Sequence, residues 1–419
     1  GDRMSRRVRL TRTVVALVAA ILVGSWAWSA CSSSSADTPT VGGASTSPTK
    51  KPSHSTSAAT TSPSVYAAAA AGNLIAAARA AKPMVYVPNT ISNTVQLIDP
   101  TTYQVVGRFH TGAEPQHVVP SWDLSTLWVN ADHANTLTPI DPRTGQAGTP
   151  IPVDDPYNLY FTPDGQHALV MAERLRRIDI RDAHTMQLQR SLHVPCSGIN
   201  HADFTRDLKT LVASCEFDGQ LIITDAGAHS LRGVINLNAI KTPGATTPQE
   251  AMNMPGSPKA GLVPGASAMP QDVRLTPDGR YFLAADMLRN GIWVIDASTL
   301  KYVRFIHTGV GAHGIYPSRD AKRLYISNRD EGTISVLDSS TLVQVAKWVI
   351  PGGGSPDMGG VTADGKQLWL SGRYDNVVYV FDTTTGALLH KIPVDAGPHG
   401  LSVWPQPGRF SLGHTGNMR

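Results

Sequence analysis

An apolar run that closes on an aspartate, followed by a small polar turn, occurs seven times in this 419-residue chain. It reads QLID to Asp99, TPID to Asp141, RIDI around Asp179 and IITD to Asp225, then WVID to Asp296, SVLD to Asp338 and YVFD to Asp382. Most copies stand about forty residues apart, room for four short strands, and such a period marks propeller blades or strand arrays. The aspartate has a local reason: its carboxylate accepts backbone N–H groups in the turn that leaves the strand. A second mark precedes all copies but the first. FTPDGQ at Asp164, LTPDGR at Asp278 and VTADGK at Asp364 place Asp-Gly between two apolar runs, with degraded forms elsewhere. Asp-Gly offers the positive φ angles of a tight hairpin, so each marks a turn between antiparallel strands.

The chain enters this pattern at Met84 in MVYVPN, already a second strand, and the final clear first strand is HGLSVWPQPG from His399. One blade is therefore expected to be completed from both ends of the repeat region. That closes a ring of seven four-stranded antiparallel blades and removes exposed sheet edges. The segment RFSLGHTGN, 409–417, is surplus to the count. YVPNTISNTVQLID from Tyr86 and SNRDEGTISVLD from Ser327 resemble the YVTN-type β-propeller repeat, and the resemblance covers nearly all of 84–410. It implies an all-β, seven-bladed propeller. Relatives with that repeat include surface-layer proteins, exported binding propellers, lactonase-like propellers and the haem-binding propeller of cytochrome-type nitrite reductases. The motif builds strands and turns, so it carries little about function.

The N-terminal region reads as an export and tethering device. MSRRVRLTR is basic, and an apolar run from Thr13 leads to Cys31. WSAC resembles a bacterial lipobox, although Trp28 stands where leucine is usual. Residues 1–31 are expected to be a lipoprotein-type signal with Cys31 lipidated, the alternative being an uncleaved anchor helix. Residues 32–83, rich in Ser, Thr, Pro and Ala, are expected to form a flexible stalk, with a short helix before Pro83 as an option. Residues 84–419 then form the propeller, outside the cytoplasm, membrane-tethered and monomeric. In that compartment Cys196, in the loop entering blade 3, and Cys215, ending its second strand, are expected to pair. Five arginines and one acid fall in 1–31, and the remaining 31 basic and 31 acidic residues balance. No basic stripe for nucleic acid follows from that balance.

In a propeller the loops from each fourth strand to the next first strand share a face, here the top, with those joining second to third strands. His117, Asn158, His201, Asp272, His313, Asp357 and His399 enter the seven first strands, one per blade, and should gather at the channel mouth. They would make a polar binding ring or, through His117, His201, Asp272, His313 and His399, a metal site. Aligned on the hairpins that follow, the first four share one register and the last three sit one residue earlier. Adjacent strand positions point to opposite faces, so the seven need not form one ring. Arg174, Arg329 and Arg373 fall on the same face, where they would hold an anionic ligand or form a solvated rim. An insertion at about 241–270 stretches one repeat to 71 residues against 42 for the first, and should lie over the mouth as an irregular lid. It carries Met252, Met254 and Met269, with Met287 and Met358 on the same face, so copper chemistry stands against simple packing of the lid. No P-loop, GxSxG, HExxH or CxxCH motif is present, and no catalytic residue is assigned. The reading is a ligand- or protein-binding or scaffold module acting through its top face. The alternatives are a metal- or haem-dependent redox protein with its site at the mouth, and a lactonase-like hydrolase.

Overall fold

The repeated Asp-ended runs are third strands. In the computed structural model, which describes residues 62–242, 262–414 and 417–419, they sit in seven sheets arranged as blades. The first strands are Pro115–Pro120, Pro156–Phe161, Ile199–Phe204, Pro270–Leu275, Ala312–Pro317, Pro356–Val361 and Ser402–Trp404, for blades 1 to 7. Every blade is antiparallel and four strands deep, except that two short pieces, Gln146–Ala147 and Ile151–Pro152, share the outer edge of blade 1. Ser402–Trp404 pairs with Met84–Asn89, so the ring closes as expected, with Met84 opposite Trp404. Cys31, residues 32–61, Met252 and Met254 lie outside the described residues.

Local chemistry builds the turns. Asp296 Oδ1 accepts the N–H groups of Ser298 and Thr299 at 3.0 and 2.8 Å, and Asp382 does the same for Thr384 and Thr385. In blade 2 the turn belongs to Asp182, not Asp179: Asp182 Oδ1 accepts from His184 and Thr185, while Asp179 is buried within the strand and ion-paired to Arg177. The Asp-Gly hairpins also differ from the expected form. Only the glycine takes positive φ, +71° at Gly165, and the aspartate acts through its side chain, Asp164 Oδ1 accepting from Thr162 Oγ1 and Gln166 N–H. Leu124, Leu208 and Ala321 hold the same left-handed position in the degraded copies, which is why those copies lack glycine yet still turn.

The core lies between blades. Val119 and Trp128 of blade 1 pack with Leu159, Phe161 and Val170 of blade 2, and comparable clusters join each blade to its neighbour. Residues 62–83, assigned by composition to the stalk, pack on the lower face instead. Val65 N–H donates to Pro277 C=O and Gly72 N–H to Ala363 C=O, while Tyr66 is buried with its hydroxyl 2.7 Å from Leu275 C=O. Alanine dominates this stretch, but Tyr66, Leu74 and Ile75 supply an apolar anchor that a flexible stalk lacks. Its helices are one turn each, Ala67–Ala69 and Ala76–Arg79.

The surplus segment has a place. After Trp404 the chain folds back as a narrow hairpin, with Ser411 bridged to Met418 and Arg409 N–H donating to Arg419 C=O. Its rising leg runs antiparallel to the first strand of blade 2: Phe161 N–H donates to Leu412 C=O and His414 N–H to Leu159 C=O, both at 3.0 Å. The leg 409–414 therefore enters the channel from below, with His414 uppermost among its residues. Gly413 makes this approach workable, because at φ +99° a Cβ there would lie 2.4 Å from Leu159 O. Arg419 seals the base, donating to Asp203 at 2.7 Å and lying over the Tyr66 ring.

Candidate functional site

The first strands bring two stacked rings of side chains to the channel rather than one. In blades 1 to 6 the pairing of first and second strands shifts register beside the entering residues. A bulge of this kind re-aims adjacent side chains, so both registers are buried in the interior, contrary to simple alternation. The upper level carries Gln116, Tyr157, Asn200, Gln271, His313, Asp357 and His399. The lower carries His117, Asn158, His201 and Asp272, with Gly314, Met358 and Gly400 in the other blades. Gly400 is needed there, since a Cβ would stand 2.1 Å from the His117 ring.

His117, His201 and His414 meet at the lower level. Each offers a nitrogen, the three lie within 4.8 Å of one another, and the residues are at most 1% exposed. Ring centres are 5.6 Å apart for His117–His201, 5.1 Å for His117–His414 and 4.9 Å for His201–His414. The outer nitrogens are committed. His117 Nδ1–H donates to Tyr157 C=O at 2.9 Å, and His201 Nδ1–H to Asn200 Oδ1 at 3.0 Å. Asn200 is itself held by Glu216 Oε2 at 2.6 Å. Those bonds place the protons on Nδ1 and leave Nε2 of His117 and His201 as lone pairs directed inward. His414 Nδ1 faces the Asn158 amide at 3.2 Å. The Nε2 atoms of all three have no hydrogen-bond partner among the described residues. Burial pushes the imidazoles toward the neutral form: His117 is lowered to about 4, and His201 and His414 fall well below their ordinary value.

The second cluster, on the upper level, has the same ingredients and another balance. His313, Asp357 and His399 converge in the same way. Here Arg329 is inserted, donating to Asp357 Oδ1 at 2.7 Å and to His313 Nε2. His399 Nδ1–H donates to Gln116 Oε1 at 2.9 Å, and its Nε2 stands 3.6 Å from Asp357. Burial raises the Asp357 carboxyl above its usual range against the opposing pull of Arg329, and lowers both histidines. Asp272, on the lower level, is likewise paired with a buried arginine, Arg274 at 3.4 Å, and accepts from Ile315 N–H. Each buried carboxylate beside the imidazoles thus has its own cation.

The other sequence candidates stand apart. Arg174 holds Asp155 and the Asp132 carbonyl, and Arg373 holds Thr90 and Gly397, so both brace the rim. Asp132, Glu173 and Glu216 line the rim across blades 1 to 3, and burial raises all three carboxyls. Met269 and Met287 pack together with Leu288, Phe217 and Leu262. Cys196 and Cys215 are disulfide-bonded, with Cα atoms 6.0 Å apart. His414 was missed by the strand pattern because it belongs to no blade. The signal available was the surplus length itself, with a histidine between glycines in LGHTGN.

Among solved structures, the propeller is similar to a Kuenenia stuttgartiensis hydrazine synthase chain at 17% identity and TM-score 0.56, covering 74% of this chain and 94% of that one. A functionally unknown protein from Desulfotomaculum acetoxidans matches at 15% identity and TM-score 0.57, over 76% and 98%. The dihydro-heme d1 dehydrogenase NirN, in complex with DHE, matches at 15% and 0.54, over 77% and 75%. At these identities the likeness is one of fold. No curated protein matches the chain. Residues 53–197 and 263–407 match one protein family over two segments, and the chain belongs to that family, the YNCE-like beta-propellers.

Proposed function

We propose that this protein is an exported, membrane-tethered propeller that binds a transition-metal ion inside its channel, on the Nε2 atoms of His117, His201 and His414. The observation that carries the reading is the convergence of three buried imidazole nitrogens with no other hydrogen-bond partner among the described residues. Buried polar atoms are nearly always satisfied, and a set left open at one point fits an ion better than solvent. The Nδ1–H bonds of His117 to Tyr157 and of His201 to Asn200 are the kind that orient metal-binding histidines, and His414 joins them when the Asn158 amide turns its oxygen to Nδ1. A bare ion suits the space better than haem, because imidazole centres 4.9–5.6 Å apart leave no gap for a macrocycle. The Cys196–Cys215 disulfide supports a location outside the cytoplasm.

Elemental analysis of the full-length chain tests this directly. One equivalent of copper, zinc or another late transition metal is expected after loading and desalting, and His201→Ala should abolish it while His313→Ala retains it. A protein that stays metal-free after loading, or loses no metal in His201→Ala, overturns the reading.

A further inference from the structure

Resting on that metal-binding reading, we infer that the site is built for a singly charged ion, copper(I), held by three nitrogens, and discriminates against divalent ions. The argument is one of charge. The cost of burying an ion grows with the square of its charge, so a dication in a closed interior needs anionic ligands or counter-ions beside it. Here all three ligands are neutral imidazoles, between 0% and 1% exposed. The nearest carboxylate, Asp272, has Oδ1 at 4.0 Å from His414 Nε2, but its other oxygen is engaged by Arg274 at 3.4 Å. Asp357, in the upper cluster, is claimed by Arg329 at 2.7 Å. Two cations have already balanced the two anions, and a zinc(II) ion would leave two uncompensated positive charges in the channel. Copper(I) would leave one.

Coordination number points the same way. Zinc(II) on three imidazoles must take a water as its fourth ligand, whereas copper(I) is satisfied by the three nitrogens alone. The described residues bring three open imidazole nitrogens to this point. The thiols that would compete for copper are absent from the channel, since Cys196 and Cys215 are bonded to each other. The arginines are therefore selectivity elements: they offset the carboxylate charge that would otherwise favour a dication.

The test is a pair of competition titrations on the full-length chain under anaerobic conditions. Copper(I) is supplied against the chromophoric chelator bicinchoninate, and zinc(II) against a zinc indicator. One equivalent of copper(I) should bind, with a Kd on the order of 1,000-fold below that for zinc(II). The copper should be three-coordinate by X-ray absorption, and the His201→Ala variant should lose it. Zinc bound as tightly as copper(I), or copper bound by four ligands, overturns this inference and leaves metal binding standing. If neither ion binds, the metal-binding reading itself fails. Arg274→Met supplies an independent check, because freeing Asp272 should narrow the copper-to-zinc ratio at least ~10-fold. Should that variant not fold, the coordination number of the wild-type copper complex decides alone.

Discussion

Two clusters of buried titratable side chains lie within one channel, one of three histidines and one of two histidines with an aspartate, and only the second encloses an arginine. The lower one, His117, His201 and His414, turns three Nε2 atoms with no hydrogen-bond partner among the described residues toward one point. The upper one, His313, Asp357 and His399, already encloses the Arg329 guanidinium, which is only 6% exposed. Residue type and burial are nearly matched, so neither distinguishes a binding centre from a structural one. What distinguishes them is whether the positive charge that the geometry calls for is supplied by the chain. The upper cluster is an internal ion pair completing the ring, and the lower one is open to a charge from outside.

The contrast breaks most readily at the ligands. His414→Ala should weaken metal affinity by more than ~100-fold, beyond the range typical of outer hydrogen-bonding partners, while His399→Ala should change it by less than about threefold. Isothermal titration of the two variants measures both, and equal losses would show that the six residues act as one site. Next in size is the charge that separates the clusters. Arg329→Met strands the buried Asp357 carboxylate and should destabilise the fold by about 3–5 kcal/mol in a denaturant melt. A neutral result would mean that Asp357 is protonated and the pair carries little.

Acid should erase the difference rather than sharpen it. Both clusters hold histidines neutral, so the unfolded chain takes up protons first as pH falls below 6.5, and folded stability declines with it. For His117, lowered to about 4, the loss accrues between 6.5 and about 4 and amounts to about 3 kcal/mol. His117→Asn and His399→Asn should each flatten the pH dependence of urea unfolding over that window. A slope unchanged in either variant would place that imidazole in contact with solvent. The smallest effect concerns Asn158. Its Oδ1 accepts from Leu159 N–H at 2.9 Å, which turns the amide nitrogen toward His414 Nδ1. Ligation through Nε2 requires the reverse, an acceptor facing Nδ1–H, and a half-turn of the amide supplies it. Asn158→Asp offers an acceptor in either orientation and should tighten metal binding about tenfold, with Asn158→Leu weakening it by a similar factor. Gln116→Leu, the matching change beside His399, should leave affinity unaltered.

Much of this architecture was legible in the chain because the blades repeat. The Asp-ended runs and Asp-Gly hairpins mark strand boundaries through local hydrogen bonding, which a single sequence displays well. The one-residue offset between His117/His201 and His313/Asp357/His399 also proved to be real information, since it sorts the residues into the two clusters. Strand alternation alone misled about its meaning, because the bulges at the blade entrances turn both registers inward. Arg329 as an internal cation was not legible: it stands one residue past the second strand, and only the fold sets it against Asp357. Nor was His414, whose hairpin has no repeat partner and reaches its position through backbone bonds to blade 2.

The ring closes at Trp404, ten residues before His414, so a propeller can be topologically complete while its centre is still missing a ligand. The three donors come from blade 1, blade 3 and the segment after the ring, and the blades alone have already brought the first two together. The hairpin that carries His414 lies outside the ring, so a bound ion would hold that hairpin in place more than it holds the blades. Occupancy would then report that this hairpin is seated in the channel, something that ring closure by itself does not reveal.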